Sequence, residues 1–210
     1  MGVKERRERE KLETRDLILD AARELFVSEG YDGVSMRKVA EKIEYSPTAI
    51  YVHFADKEAL FRELCHRDFE KLAHAFQSEA LPLDPVERLK HIGRTYVEFG
   101  IHYPNHYRLM FMTPHCPSEL DDHDWEVRGN PEVDAYALLK YTVQQAIDAG
   151  VFAKIHRDAE LISQTLWASV HGVISLHIAK QFDAWVDWRP LAERVELMLD
   201  AVVDGLRKEA

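Results

Sequence analysis

Cysteine is nearly missing from this chain: Cys65 and Cys116 are the two among 210 residues, and they form no Cys-x-x-Cys pair. That excludes a disulfide framework and fits a reducing, cytoplasmic setting. A secretory leader is not expected, because Met1 to Arg15 alternates Lys and Arg with Glu and lacks an apolar stretch. Long hydrophobic runs are scarce. Leu161 to Ala179 holds no Asp, Glu, Lys or Arg, yet it carries Ser163, Gln164, Thr165, Ser169, His171, Gly172, Ser175 and His177. A spanning helix is predominantly apolar, so this stretch reads as a helix buried in protein on several sides. Positive charge is in deficit: 27 Lys and Arg stand against 37 Asp and Glu, a net charge of −10. That excludes a uniformly basic coat for nucleic acid but not a local basic patch. Strand-type alternation and internal repeats are lacking as well.

Apolar side chains, by contrast, make up 46% of the sequence, enough for a core and too many for a disordered chain. Their spacing is helical nearly throughout, and the fold class is all-α. Leu17, Ile18, Ala21, Ala22, Leu25 and Phe26 form one helix face, which Gly30 is expected to stop. Ser35 caps a short helix with Met36, Val39, Ala40 and Ile43 inside, and Glu44-Tyr45 is the turn after it. Ser46 caps a third helix with Pro47 at its first position and Ile50 and Phe54 inside. Asp56 caps a fourth, which runs to about Ser78 on the stripe Leu60, Leu64, Cys65, Phe69, Leu72 and Phe76. Composition breaks at 81–85, where Pro82 and Pro85 cannot sit within a regular helix. Further helices are expected at 85–103, 105–112, 132–149, 158–181 and 190–208, with a long loop at 113–131.

Two short helices joined by a tight turn and preceded by a longer one make a helix-turn-helix arrangement. The second short helix of such a unit enters the major groove. With Ile50 and Phe54 turned inward, Thr48, Ala49, Tyr51, Val52 and His53 remain for bases and phosphates. Thr48 suits a base edge or a phosphate, Ala49 and Val52 a thymine methyl, and Tyr51 and His53 a phosphate. Arg37, Lys38 and Lys57, with the cap residues Ser35 and Ser46, complete the expected DNA contacts. The charge balance over 34–57 is weak: Arg37, Lys38, Lys42 and Lys57 against Glu41, Glu44 and Asp56. The arm before it, 1–13, reads either as a solvated, frayed helix extension or as an arm that reaches an adjacent groove.

Residues 14–65 resemble the DNA-binding domain of the tetracycline-repressor (TetR/AcrR) family. The stretches that carry the resemblance are Ala21-Ala22-Arg23-Glu24-Leu25-Phe26 and Gly30-Tyr31-Asp32-Gly33-Val34-Ser35-Met36-Arg37-Lys38-Val39-Ala40. Ser46 to Phe54 and Asp56-Lys57-Glu58-Ala59-Leu60 continue it. Family members commonly have Gly at the turn position that Glu44 holds, and a left-handed backbone costs a non-Gly residue about 1 kcal/mol. Leu166 to Gly172 also resembles a Trp-x-x-x-His-Gly signature found in one branch of the family. The resemblance implies a DNA-binding domain at 1–62, including the arm, and a helical ligand-binding and dimerisation domain at 63–210. It also implies a homodimer on a palindromic double-stranded operator, released by a small-molecule effector, with no cofactor and no enzymatic activity.

Within 63–210 the expected effector site is lined by Phe99, Tyr103, Met110, Phe111, Tyr141 and Trp167, with Tyr107 and His171 supplying polar contacts. The uncharged 161–179 stretch points to a neutral, largely hydrophobic effector. His102, His106, His115, Cys116, His123, Asp121, Asp122 and Asp124 form a metal-responsive alternative, but Pro104 interrupts the His102–His106 spacing and no metal is expected. A hydrolase built on Cys116 lacks an ordered triad. Ile162, Leu166, Val170, Val173, Ile174 and Ile178 on one late helix, with Leu191, Val195, Met198, Leu199, Val202, Val203 and Leu206 on the last, suit a four-helix bundle between two copies.

Overall fold

A computed structural model describes residues 2–77, 80–114 and 122–207. His115, Cys116, Asp121 and the helix end at Ser78 lie outside the described residues. The elements are α1 (Val3–Gly33), α2 (Met36–Lys42), α3 (Pro47–Tyr51), α4 (Lys57–Gln77) and α5 (Pro85–His102). They continue with α6 (Pro104–Met112), α7 (Asp122–Val127), α8 (Ala135–Asp148), α9 (Ala159–Lys180) and α10 (Leu191–Leu199), which runs into a π-helical turn at Asp200–Asp204. The fold is all-α. Among the described residues the one β-type pairing is an isolated bridge between Phe152 and Arg207. The chain divides into two compact units, one of residues 1–68 with 105–120 and one of residues 69–104 with 121–210.

In the first unit, α1, α2, α3 and the start of α4 close on Ile18, Phe26, Val39, Ile50, Leu60, Phe61 and Leu64, all fully buried. Leu109 of α6 joins this core. Phe26 and Tyr31 stack in parallel with centroids 5.7 Å apart, and Phe61 meets both edge to face at 5.0 and 5.2 Å, geometries aromatic quadrupoles favour. In the same unit Arg23 and Asp68 form a buried pair, with Nη2 to Oδ1 at 2.8 Å and Nε to Oδ2 at 3.2 Å.

The second unit packs α5, α8, α9 and the last turn around Val86, Leu89, Val143, Ala146, Phe152, Ile162, Leu166 and Val203. Aspartates start three of its helices, α5, α8 and α9: Asp84 accepts from the Val86 and Glu87 amides, Asp134 from Tyr136 and Ala137, and Asp158 from Leu161. Lys90, nearly buried, reaches Asp200 at 2.7 Å and Asp204 at 3.1 Å, and Arg94 grips Glu196 through two 2.7 Å bonds.

Four expectations change. Gly30 breaks the helical dihedrals of α1 (φ 73°, ψ 171°), but a further turn follows it to Gly33. Within the expected 113–131 loop, 122–127 forms α7. The last helix gives way at Asp200 to the π-helical turn. Phe69, expected inside the α4 stripe, is 44% exposed. No described helix is long and apolar enough to cross a membrane.

Candidate nucleic-acid interface

Local chemistry sets α3 on the surface of the first unit. Ser35 Oγ accepts from the Lys38 amide at 3.3 Å, and Ser46 Oγ from the Ala49 amide at 3.2 Å. Between the two helices the Tyr45 amide reaches back to the Ala40 carbonyl at 2.9 Å and the Glu44 amide to the Glu41 carbonyl at 3.2 Å. This paired closure is a Schellman motif, which needs a left-handed residue at its hinge. Glu44 supplies it at φ 59°, the one non-glycine with positive φ among the described residues. The turn thus adopts the geometry glycine prefers, with a side chain that disfavours it.

With Ile50 and Phe54 locked in the core, α3 presents its other side to solvent. Thr48 is exposed and Ala49 half-exposed, while Tyr51 and Val52 are 54% and 69% exposed. Four of the expected contact residues therefore share one accessible face. Ser35 and Ser46 act as caps whose hydroxyls are already engaged.

The charged members are more occupied than spacing alone suggests. Arg37 projects freely but pairs with Glu41 at 2.8 Å. Lys38 Nζ binds Glu29 and the Gly33 carbonyl. Lys42 is paired with Glu24. Lys57 Nζ donates to the Tyr31 carbonyl at 3.0 Å and lies 4.1 Å from the centre of the Tyr31 ring. His53 is half-buried. Its Nδ1 has no hydrogen-bond partner, and burial, aided by Arg15 and Lys11, pushes its pKa down.

The residues expected to line an effector site separate between the units. Tyr107, Met110 and Phe111 belong to the first, where Tyr107 is fully buried and its ring lies 5.0 Å from that of Phe111. Phe99, Tyr103, Tyr141, Trp167 and His171 belong to the second. Phe99 is buried 5.4 Å from the half-exposed Tyr103 ring, and the exposed Tyr141 hydroxyl accepts from Gln145. Trp167 and His171, one turn apart on α9, converge on a group sequence reasoning missed, the Tyr96 hydroxyl. It accepts from Trp167 Nε1 at 3.0 Å and stands 3.4 Å from His171 Nδ1. Tyr96 sits on the apolar stripe of α5 and reads as plain core, so no local signal marks its hydroxyl. Tyr136 packs 5.9 Å from Trp167 and donates to Glu160 at 2.6 Å. Burial and Glu160 push the Tyr136 phenol up to about 12, while Lys140 and Tyr136 hold Glu160 at about 2. Burial lowers His171, which favours its neutral form. Among the described residues no group of three or more His, Cys, Asp or Glu gathers as a metal site.

Residues 18–64 match the family described as bacterial regulatory proteins, tetR family, and residues 89–202 match the tetracyclin repressor-like C-terminal domain. An HTH-type transcriptional repressor of Mycobacterium tuberculosis is 42% identical over 64 residues, which cover 30% of this chain and 34% of that protein. The HTH-type transcriptional repressor AcnR of Corynebacterium jeikeium is 39% identical over 64 residues, with the same shares covered. The chain thus spans about a third of the length of these relatives. Among solved structures, a protein of unknown function from Rhodococcus sp. RHA1 superposes with a TM-score of 0.71 at 25% identity, covering 92% of this chain and 95% of that one. The TetR family transcriptional regulator PfmR of Thermus thermophilus superposes with a TM-score of 0.66 at 20% identity, covering 93% and 98%.

Proposed function

Because the chain belongs to the tetR family of bacterial regulatory proteins, we propose that it is a cytoplasmic, homodimeric transcriptional repressor that leaves its operator when a small hydrophobic effector binds. The observation that carries this reading is the exposed face of α3. Thr48, Tyr51 and Val52 stand outward while Ile50 and Phe54 anchor the helix from behind. A short capped helix held by its inner face, with small and polar groups outward, is what insertion into a major groove requires.

Residues 1–62 read the DNA, and residues 63–210 bind effector and dimerise. Thr48, Ala49 and Val52 meet base edges. Tyr51, His53, Arg37, Lys38 and Lys57 serve the backbone, the two lysines by exchanging their present partners for phosphates. Exposed apolar side chains on α9 and α10 support self-association: Leu161, Leu176 and Leu197 are 62%, 51% and 72% exposed. The Trp167 to Gly172 segment supports a reading of the second domain as one of the Trp-x-x-x-His-Gly branch, and on this reading the Tyr96–Trp167–His171 cluster is the effector contact, with Phe99, Tyr103 and Tyr141 as apolar support.

Selection of bound duplexes from a random library tests the reading. The expected product is a pseudo-palindrome whose half-sites are about 34 Å apart. Thr48→Ala should relax preference at one position by about 1–3 kcal/mol, and Tyr51→Ala should weaken all sequences alike. A protein that binds no duplex in a salt-dependent way overturns the reading.

A further inference from the structure

Arg37, Lys38 and Lys42 near α3 already face carboxylates, so positive charge elsewhere on the first unit adds to what they offer DNA. It is found on α1. No non-helical dihedral interrupts α1 before Gly30, and residues 4–13 are all exposed. At about 100° per residue, Lys4, Arg7, Lys11 and Arg15 fall within an arc of about 80°, with Glu8 at its edge. Further along, the same arc carries Ile18 and Ala22, both fully buried. The stripe therefore points to the side on which the core of the unit lies.

Two contacts fix that side against the end of α3. Arg15 Nη1 donates to the His53 carbonyl at 2.9 Å, and the Arg15 guanidinium stacks 4.3 Å from the centre of the Phe54 ring. The charges of Arg15 and Lys11 add to burial in holding the His53 imidazole below its usual range. Arg6 and Arg9, on the opposite side, pair with Glu10 at 2.7 Å and Glu13 at 3.6 Å. Among the described residues no hydrogen bond or ion pair engages the side chains of Lys4, Arg7 or Lys11. The sequence thus neutralises one side of this helix and leaves the other charged.

We propose that the first turns of α1 form a rigid helical rail for the DNA backbone, with Lys4, Arg7 and Lys11 on phosphates beside the groove that α3 enters. The proposal rests on the DNA-binding reading above and adds a second, sequence-independent contact to it. Lys4 to Lys11 spans about 10 Å of helix, the axial length of about three phosphates of one strand. Three free cations thus meet about three anions. An arm of this kind positions the protein and reads no bases.

The test compares wild type with K4Q/R7Q/K11Q and with R6Q/R9Q/K154Q, which removes the same charge from paired or remote positions. Each is titrated by fluorescence anisotropy against a selected operator and against a mixed-sequence 30-bp duplex from 50 to 200 mM salt. Circular dichroism checks that helix content is kept. Three lost contacts should lower the slope of log affinity against log salt by about 2.7 per protomer at roughly 0.9 per phosphate. Over that salt range wild type then loses about 40-fold more affinity per protomer than the arm variant. Both duplexes should be affected equally, and the control should keep a slope near wild type. Equal slopes for wild type and arm variant, with wild type still binding, overturn the rail alone. So does a loss confined to the selected operator, which would mean base reading. If wild type binds neither duplex, the DNA-binding reading falls first and takes the rail with it.

Discussion

Replacing Asp68 by alanine removes the anionic half of a pair sealed inside the first unit. Asp68 is 1% exposed and receives two bonds from Arg23, whose side chain is 8% exposed. The remaining partner of Arg23 is Asp20, 73% exposed, at Nη1. After the substitution the buried Nε and Nη2 groups lose their acceptor, and the exposed Asp20 is the anion that remains. Breaking a buried pair from one side costs about 3–5 kcal/mol, a large share of the roughly 5–15 kcal/mol that holds a domain together. With a urea dependence of about 2 kcal/mol per molar, the unfolding midpoint should fall by about 2 M. The pair itself is a different matter, because its mutual attraction is largely offset by the desolvation of both ions. R23M/D68L, which fills the same space with apolar atoms, should therefore match or exceed wild type. The assay is urea unfolding followed by circular dichroism, because all four tryptophans lie in the second unit. A loss under about 1 kcal/mol for Asp68→Ala would refute the reasoning, and so would a double variant as unstable as the single one.

Glu44→Gly should stabilise the first unit by roughly 0.5–1 kcal/mol. It relieves about 1–2 kcal/mol of left-handed strain and returns part of that through the greater freedom of glycine in the unfolded chain. A lowered melting temperature would contradict this. Acid should weaken the fold by a separate route. His53, His171 and His177 are all held below the usual imidazole range, each chiefly by burial. The folded chain then binds fewer protons than the unfolded one once pH drops below about 6.5, so stability is full above that pH and declines beneath it. Urea midpoints at pH 8, 7 and 5.5 should be level and then fall, and His171→Gln should flatten the decline. A midpoint that rises into acid would exclude this account.

Helix starts were legible because an N-cap is a local device. Ser35, Ser46 and Asp56 each bond an amide three residues on, and nothing distant decides that. The inward face of α3 was equally clear from Ile50 and Phe54. The α7 segment was not, since its Asp-rich stretch between Pro117 and Pro131 carries the composition of a loop. Lys38 and Lys57 show a different limit. Spacing places an ammonium near a groove, but its actual partner, Glu29 in one case and the Tyr31 carbonyl in the other, comes from a remote segment. The Tyr96 hydroxyl escaped for the same reason, since its partners are 71 and 75 residues away.

The unbroken run of α1 from the solvent-exposed arm into the core couples angular phase to sequence length. One residue inserted near Thr14 would swing everything ahead of it by about 100° and shift it by about 1.5 Å. Lys4, Arg7 and Lys11 would keep their charge and lose their heading. Seven inserted residues, close to two full turns, would restore the heading while pushing the arm about 10 Å outward. When this chain is compared with its relatives, the number of residues between Lys11 and Ile18 therefore carries more information than the number of lysines and arginines before them.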